Sequence, residues 1–202
     1  RQVSTRIAAG TGPDIIFVEV SRFPTLLKLG ALRDLNPFLE KDKDFKIGDF
    51  FEPVVDRFRV DKGLFVIPRD TAPFACVFYN KDLFDAAGVA YPKDDWSVND
   101  LLAKAKQLTK KSARGEQTYG FYTWVAINFI YTFGGGIVDN VRNPTRCTLG
   151  EPSAIAGLKF LRDLYTVHKC TPSPSFFAGG TTITPATAFL TGQIAMYGSG
   201  IW

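Results

Sequence analysis

The chain has 202 residues, a mass of 22.3 kDa and 46 % hydrophobic residues, enough for one large α/β domain or two small lobes with cores of their own. Its formal charge of +4 comes from 24 basic and 20 acidic residues that interleave, as in Lys41-Asp42-Lys43-Asp44, a solvated surface without the clustered Lys and Arg of a nucleic-acid footprint. No apolar run approaches the ~18 residues that span a bilayer, and Arg1-Gln2-Val3 is neither a signal peptide nor a natural start, so the chain reads as an excised segment.

In chain order, Val3 to Ala9 reads as the end of a helix, Gly10-Thr11-Gly12-Pro13 as its stop, and Asp14 to Val18 as a buried strand with a polar tip at Glu19 to Arg22. Phe23 to Leu29 predicts a short amphipathic helix closed by Gly30. Gly48 to Phe58 predicts another, with Asp49 as a possible cap and Phe51, Val54, Val55 and Phe58 on one face. Lys62-Gly63 turns the chain into a strand over Leu64 to Ile67. The polar turn Arg69-Asp70-Thr71-Ala72-Pro73 then opens an unbroken apolar run, Phe74 to Tyr79, which predicts a strand covered on both faces. A polar cluster at the mouth of such a strand is a place for a ligand.

Lys81 to Gly88 reads as a short helix, and Ser97 with Asp100 as the capping box of a longer one carrying Leu101, Leu102, Ala105 and Leu108. Tyr119 to Phe121 predicts a strand, Val125 to Phe133 an apolar helix, and Gly134-Gly135-Gly136 its breaker. Pro152 opens a helix with Ile155, Leu158, Leu161, Leu164 and Tyr165 at helical spacing. Thr184 to Leu190 is a last short helix and Ile194 to Tyr197 a last strand. Strands alternating with helices imply an α/β fold with largely parallel pairing.

Chemistry beyond binding finds little support in the residues. His168, the single histidine, falls at the end of the long helix, where a dipole contact or solvent exposure is expected. There is no nucleophile elbow, phosphate loop, HExxH or cysteine–histidine metal spacing, and no cofactor is implied. Cys76 is expected inside the buried strand. Cys147 and Cys170 flank a helix of about 16 residues, whose ends lie roughly 24 Å apart, and are expected to stay unbridged.

Several segments resemble, in order, the extracellular solute-binding proteins of ABC importers, the family that includes maltose-binding protein. Asn80-Lys81-Asp82-Leu83-Phe84 after the apolar run is similar to the family's first crossover from one lobe to the other. Gly12-Pro13-Asp14-Ile15-Ile16 looks like its Gly-x-Pro-Asp-Val strand opening, and Trp96-Ser97-Val98-Asn99-Asp100-Leu101 like its Trp-Thr-x-x-Asp-Leu helix opening. Cys147-Thr148-Leu149 with Pro152-Ser153-Ala154 resembles the approach to its long helix. Phe189 to Trp202 resembles its Phe-x-x-Gly-x-x-Ala-Met-x-x-x-Gly-x-Trp signature. The resemblance implies a type II, two-lobed periplasmic-binding-protein-like α/β fold, incomplete at both ends. It places a partial first lobe at 1–72, a second lobe at 73–202 and the hinge crossover near 69–76. Edges left bare by the missing pieces are expected to promote association.

Sugar recognition needs aromatic faces against the C–H side of a pyranose and polar groups for its hydroxyls. Ser21 and Arg22 follow a predicted strand at its carboxyl end, where open α/β sheets bind ligands, although Arg22 equally fits a solvated surface arginine. The resemblance puts Ser21 where the family has an acid. Asp70 and Thr71 sit at the crossover, as hydroxyl contacts or as capping and hinge groups. Trp124 stands where maltose-binding protein has a stacking tyrosine, as a sugar platform if exposed or as core if turned inward. Asn128, one helical turn on, offers an amide contact or plain solvation. Trp202 matches the family's ligand-stacking tryptophan, and the alternative for it is a frayed terminal residue.

The resemblance thus implies a substrate-binding component of an ABC importer, binding a sugar or oligosaccharide in an inter-lobe cleft and delivering it to membrane permease subunits. It also implies an extracytoplasmic location, in the periplasm or as a surface lipoprotein. Two other classes stay open. A polyamine, phosphate or metal-complex binder would need a charged cleft, and a transferase of this layout would need a catalytic lysine, cysteine or acid pair.

Overall fold

The computed structural model describes residues 2–70, 73–113, 115–141, 143–178 and 183–201, and divides the chain into two compact units, 1–71 and 72–202.

The first unit opens with α1 (Gln2–Ala8), which stops at Gly10, whose φ of 70° suits a residue without Cβ. Asp14 to Val18, expected as a buried strand, is not one. Burial alternates as in a strand, with Ile16 and Val18 half-buried, but Ile15 is 90 % and Phe17 68 % exposed, and no strand ladder includes the segment among the described residues. An extended apolar run becomes a strand only when a neighbour takes its N–H and C=O groups, and none of the described strands lies beside it.

A 3₁₀ turn (Val20–Arg22) leads into α2 (Phe23–Lys28), and α3 (Asn36–Leu39) follows. The helix expected over Gly48 to Phe58 is broken into a 3₁₀ turn (Ile47–Asp49), α4 (Glu52–Val55) and a second 3₁₀ turn (Asp56–Phe58). Pro53 explains the break: it occupies the first turn of α4, and its ring and missing N–H prevent a helix from running in from Gly48. Phe51 is therefore exposed, while Val55 and Phe58 point inward as expected.

β1 (Arg59–Val60) and β2 (Gly63–Leu64) form an antiparallel hairpin, shorter than the strand expected through Ile67. Asp34 Oδ1 accepts the N–H groups of Asn36 (3.1 Å) and Leu64 (3.1 Å), tying α3 to the hairpin. Phe23, Val55, Phe58 and Leu64 make the core, with the Phe23 and Phe58 rings edge to face at 5.3 Å.

The second unit is built on β3 (Cys76–Tyr79), followed by α5 (Lys81–Ala87) and α6 (Val98–Leu108). Asn80 Oδ1 caps α5 by accepting the Leu83 N–H at 3.2 Å, and Gly88 ends it. The capping box of α6 is complete: Ser97 Oγ accepts from Asp100 N (3.2 Å), and Asp100 Oδ2 accepts from the Ser97 hydroxyl (2.6 Å) and from Ser97 N (2.8 Å), the hydroxyl first and then the N–H holding the carboxyl below its usual range. A small hairpin, β4 (Lys110–Lys111) with β5 (Gln117–Thr118), precedes β6 (Tyr122–Thr123) and α7 (Ala126–Thr132). The long helix α8 (Pro152–Thr166), α9 (Pro174–Ala178), α10 (Pro185–Leu190) and β7 (Met196–Ser199) complete the unit.

The three-stranded sheet has the order β3-β7-β6, with β3 antiparallel and β6 parallel to the central β7. Parallel pairing is thus the minority among the described strands, against expectation. Tyr119 meets Ile194 in an isolated parallel bridge, so the strand expected at Tyr119 to Phe121 takes up its ladder only at Tyr122.

β3 is an edge strand covered on one face. Val77 and Tyr79 pack on the core, whereas Phe78 is 40 % exposed and Cys76 half-buried, so neither the two-sided cover nor the buried thiol expected from the sequence is found. The core of this unit joins Phe84, Leu101, Ala105, Leu108, Phe121, Phe129, Leu164, Ala195 and Met196. In α8 the buried line is Ala154, Gly157 and Leu164, while Ile155 and Leu158 are exposed. Small residues win because α7 comes very close: a Cβ on Gly157 would lie 2.5 Å from the Phe129 carbonyl oxygen.

Before α8, Val138 bridges Cys147, and the Asp139 carboxylate closes the loop between them. Its Oδ1 accepts N–H groups of Asn140 (3.0 Å), Thr145 (3.0 Å) and Arg146 (3.2 Å), and its Oδ2 accepts the Thr145 hydroxyl. The hydroxyl and then the backbone donors hold this carboxyl well below the usual range. All three cysteines are free thiols; Cys147 is exposed, and burial pushes the Cys170 thiol up.

Candidate functional site

The sheet register of the second unit gathers one set of side chains at the carboxyl ends of β6 and β7. Thr123 is paired with Gly198, so the next residues, Trp124 and Ser199, lie side by side where both strands run out, and Cys76, the partner of Ser199 on β3, completes the edge. Gly198 permits this arrangement, because a Cβ there would meet the Thr123 side chain at 2.8 Å. Thr123 itself is buried. Its hydroxyl donates to Gly198 O (3.0 Å) and accepts from Val125 N (3.1 Å), fixing the backbone on both sides of Trp124.

The Trp124 side chain is 52 % exposed, and its Nε1–H donates to Ser199 Oγ at 3.3 Å. One turn further, Asn128 Nδ2 donates to the Phe74 carbonyl at 2.8 Å, joining α7 to the strand lead-in, and Ile201 N donates to Pro73 O at 3.3 Å. Trp124, Asn128, Ser199, Phe74 and Ile201 therefore share one edge of the sheet. Behind it, a cavity of about 390 Å³ is lined by Val77, Trp96, Leu101, Phe121, Thr123 and Asn128 among others. A half-open aromatic face beside convergent polar groups suits an apolar, hydroxyl-bearing molecule.

In the first unit, Ser21 and Arg22 lie exposed in the 3₁₀ turn after the unpaired run, and Arg22 Nε is 3.8 Å from Glu19 Oε2. Asp70 is paired with Arg69, whose guanidinium lies 4.9 Å from the centre of the Phe17 ring. Thr71 and Trp202 lie outside the described residues. Ser199, Thr123 and Phe17 were not expected at a site. Ser199 and Thr123 need the parallel register of β6 on β7, which joins positions 75 residues apart. Phe17 is hidden in sequence by its place in an apolar run that reads as core.

His168 lies just past the end of α8, its backbone N–H donating to Asp163 O at 2.7 Å. Among the described residues, no group of His, Cys, Asp and Glu side chains is placed to hold a metal ion, and no helix is long and apolar enough to cross a membrane.

An α/β chain that presents an aromatic platform at strand carboxyl ends has the layout of a small-molecule binding protein. The sequence profile of the bacterial extracellular solute-binding proteins matches residues 1–202, and the chain belongs to that family. It is 32 % identical to an ABC substrate-binding protein of Listeria monocytogenes solved in complex with cycloalternan, covering 100 % of this chain and 50 % of that one with a TM-score of 0.79. An ABC transporter solute-binding protein of Thermotoga lettingae, bound with α-D-tagatose, shares the fold at 22 % identity and a TM-score of 0.76, again over 100 % of this chain and 51 % of that one.

Among curated proteins, the arabinooligosaccharide-binding protein of Halalkalibacterium halodurans is 27 % identical over 174 residues, 81 % of this chain and 35 % of that protein. The chain thus spans about a third of that curated relative and half of the solved ones. The chain matches about half of the two-lobed α/β fold of these binding proteins, and the family consists of binding proteins with an extracytoplasmic location.

Proposed function

We propose that the chain belongs to the substrate-binding component of a bacterial ABC importer, that it binds a sugar or oligosaccharide, and that it has no enzymatic activity. The observation that carries this reading is Trp124, an aromatic face left half-exposed at the carboxyl edge of the sheet by a hydrogen bond at its tip. The 32 % likeness over the whole chain to a protein complexed with cycloalternan supports an oligosaccharide over a small charged solute.

In this reading Trp124 stacks on a pyranose ring, and Asn128, Ser21, Arg22, Asp70, Thr71 and Trp202 supply the remaining contacts. Residues 1–72 belong to the first lobe and 73–202 to the second, with the crossover near 69–76 as the hinge. A ligand that binds one arrangement of the lobes more tightly shifts the population toward it, and the permease subunits recognise that form. The protein works in the periplasm or as a lipoprotein at the cell surface.

Isothermal calorimetry against cycloalternan, maltose, mannotriose, arabinooligosaccharides and, as controls, spermidine and phosphate tests the assignment. Saturable heat with at least one of the sugars and none with the controls is expected. Binding of spermidine or phosphate alone would transfer the protein to the rival class.

A further inference from the structure

Ser199 is the side chain at the candidate edge whose place is least explained by the fold. It is only 6 % exposed, yet its hydroxyl is spent on a half-exposed neighbour, accepting the Trp124 indole N–H at 3.3 Å. Two hydrogen bonds tie Trp124 to β7. Thr123 ties the backbone beside it to β7 through Gly198 O at 3.0 Å, and Ser199 ties the far end of the ring to the next residue of the same strand. A tryptophan has two side-chain torsions and one donor. Fixing the backbone does not by itself set either torsion, whereas the bond at Nε1 bears on both.

We propose that Ser199 is a positioning residue that sets the plane of the Trp124 platform and occupies its single donor. The inference rests on the reading of Trp124 as a sugar platform. Its consequence is chemical: with the N–H turned into the protein, Trp124 offers a ligand its π face alone. Recognition at this subsite is through the C–H face of a saccharide ring, without a hydrogen bond from the platform to the ring's hydroxyls. Hydrogen bonds to those hydroxyls then fall to the polar groups elsewhere in the site.

The test combines a ligand-free and a ligand-dependent measurement on the full chain. In ¹H–¹⁵N spectra the Trp124 indole resonance is identified by its loss in Trp124→Phe. Ser199→Ala is expected to shift that resonance and speed its solvent exchange about tenfold, as for a donor released from a protected bond, and Ser199→Thr, which keeps the acceptor, to restore it. An unchanged resonance in Ser199→Ala overturns the proposal whether or not the variant binds sugar.

Calorimetry with the tightest binder among cycloalternan, maltose and mannotriose then closes a double-mutant cycle. Ser199→Ala is expected to weaken binding about three- to tenfold in the native background, the scale of ordering one side chain, and to have almost no effect in Trp124→Phe, which has no donor to hold. Equal losses in both backgrounds would mark Ser199 as merely structural and overturn the proposal. Unchanged affinity in Trp124→Phe and in Trp124→Ala would instead overturn the platform reading.

Discussion

The two units use similar apolar patterns and reach different degrees of order. In the second, the run Phe74 to Tyr79 finds β7 alongside it, and its inward residues Val77 and Tyr79 join a core anchored by Phe84 and Met196. In the first, Asp14 to Val18 has as strong a strand pattern and no ladder partner among the described residues, and Ile15 and Phe17 are exposed. A strand is a property of a pair. The hydrophobic pattern says which face would be buried, and whether it is buried depends on what lies beside it.

The contrast is sharpest where burial is complete. Phe84→Ala should destabilise the second unit by about 3–5 kcal/mol, because a fully buried ring leaves a cavity that the helices around it cannot close. Tryptophan fluorescence in urea reads this unit alone, since Trp96, Trp124 and Trp202 all lie in it. An unshifted midpoint would mean that the core is looser than its burial shows.

Close backbone approach gives the next effect. A Cβ at Gly120 would stand 1.9 Å from the Ala105 carbonyl oxygen, so Gly120→Ala must push α6 from the strand that follows it and should cost about 3 kcal/mol. A midpoint like that of the native protein would contradict the packing of Gly120 against α6.

Acid should loosen the loop that Asp139 closes before it loosens either core. The Asp139 carboxyl is held below its ordinary value, so its contribution is complete above that value and is lost as pH falls toward the folded one. Amide protection at Thr145 and Arg146 should be level from neutral pH down to about 5 and fall below about 4, and Asp139→Asn should remove this pH dependence. Protection that stays level in acid would show that the loop is held by other groups.

The smallest effect is expected in the first unit. Ile15→Ser should change the stability of that unit by no more than about 0.5 kcal/mol, measured by hydrogen exchange at Phe58 and Leu64, because an exposed side chain loses little on becoming polar. A loss above about 1.5 kcal/mol would mean that Asp14 to Val18 is a covered strand after all.

These differences also show what could be read in advance. Local signals were legible: the Ser97–Asp100 capping box, the Asn80 cap, the stops at Gly10, Gly30 and Gly88, and the start of α8 at Pro152 are all set by residues within a turn of one another. Pro53 carried the break of the expected 48–58 helix and was outweighed by the apolar spacing around it. What depended on remote partners was not legible. The edge position of β3, the antiparallel β3·β7 pair and the small-residue seam of α8 on α7 each follow from which segment lies opposite. Trp124 was expected from the family resemblance, at the place of a stacking tyrosine, whereas its hydrogen-bond partner Ser199 is visible only through the register of β6 on β7.

Trp124 is the proposed resting place of a sugar ring. Calorimetric titration of the native protein and of Trp124→Ala with the best-binding oligosaccharide measures this directly. A loss of about 2 kcal/mol, roughly a thirtyfold rise in Kd, with an unchanged urea midpoint is the predicted result for an exposed aromatic anchor. Equal affinity of the two proteins would contradict it, and would return Trp124 to the packing of the sheet edge.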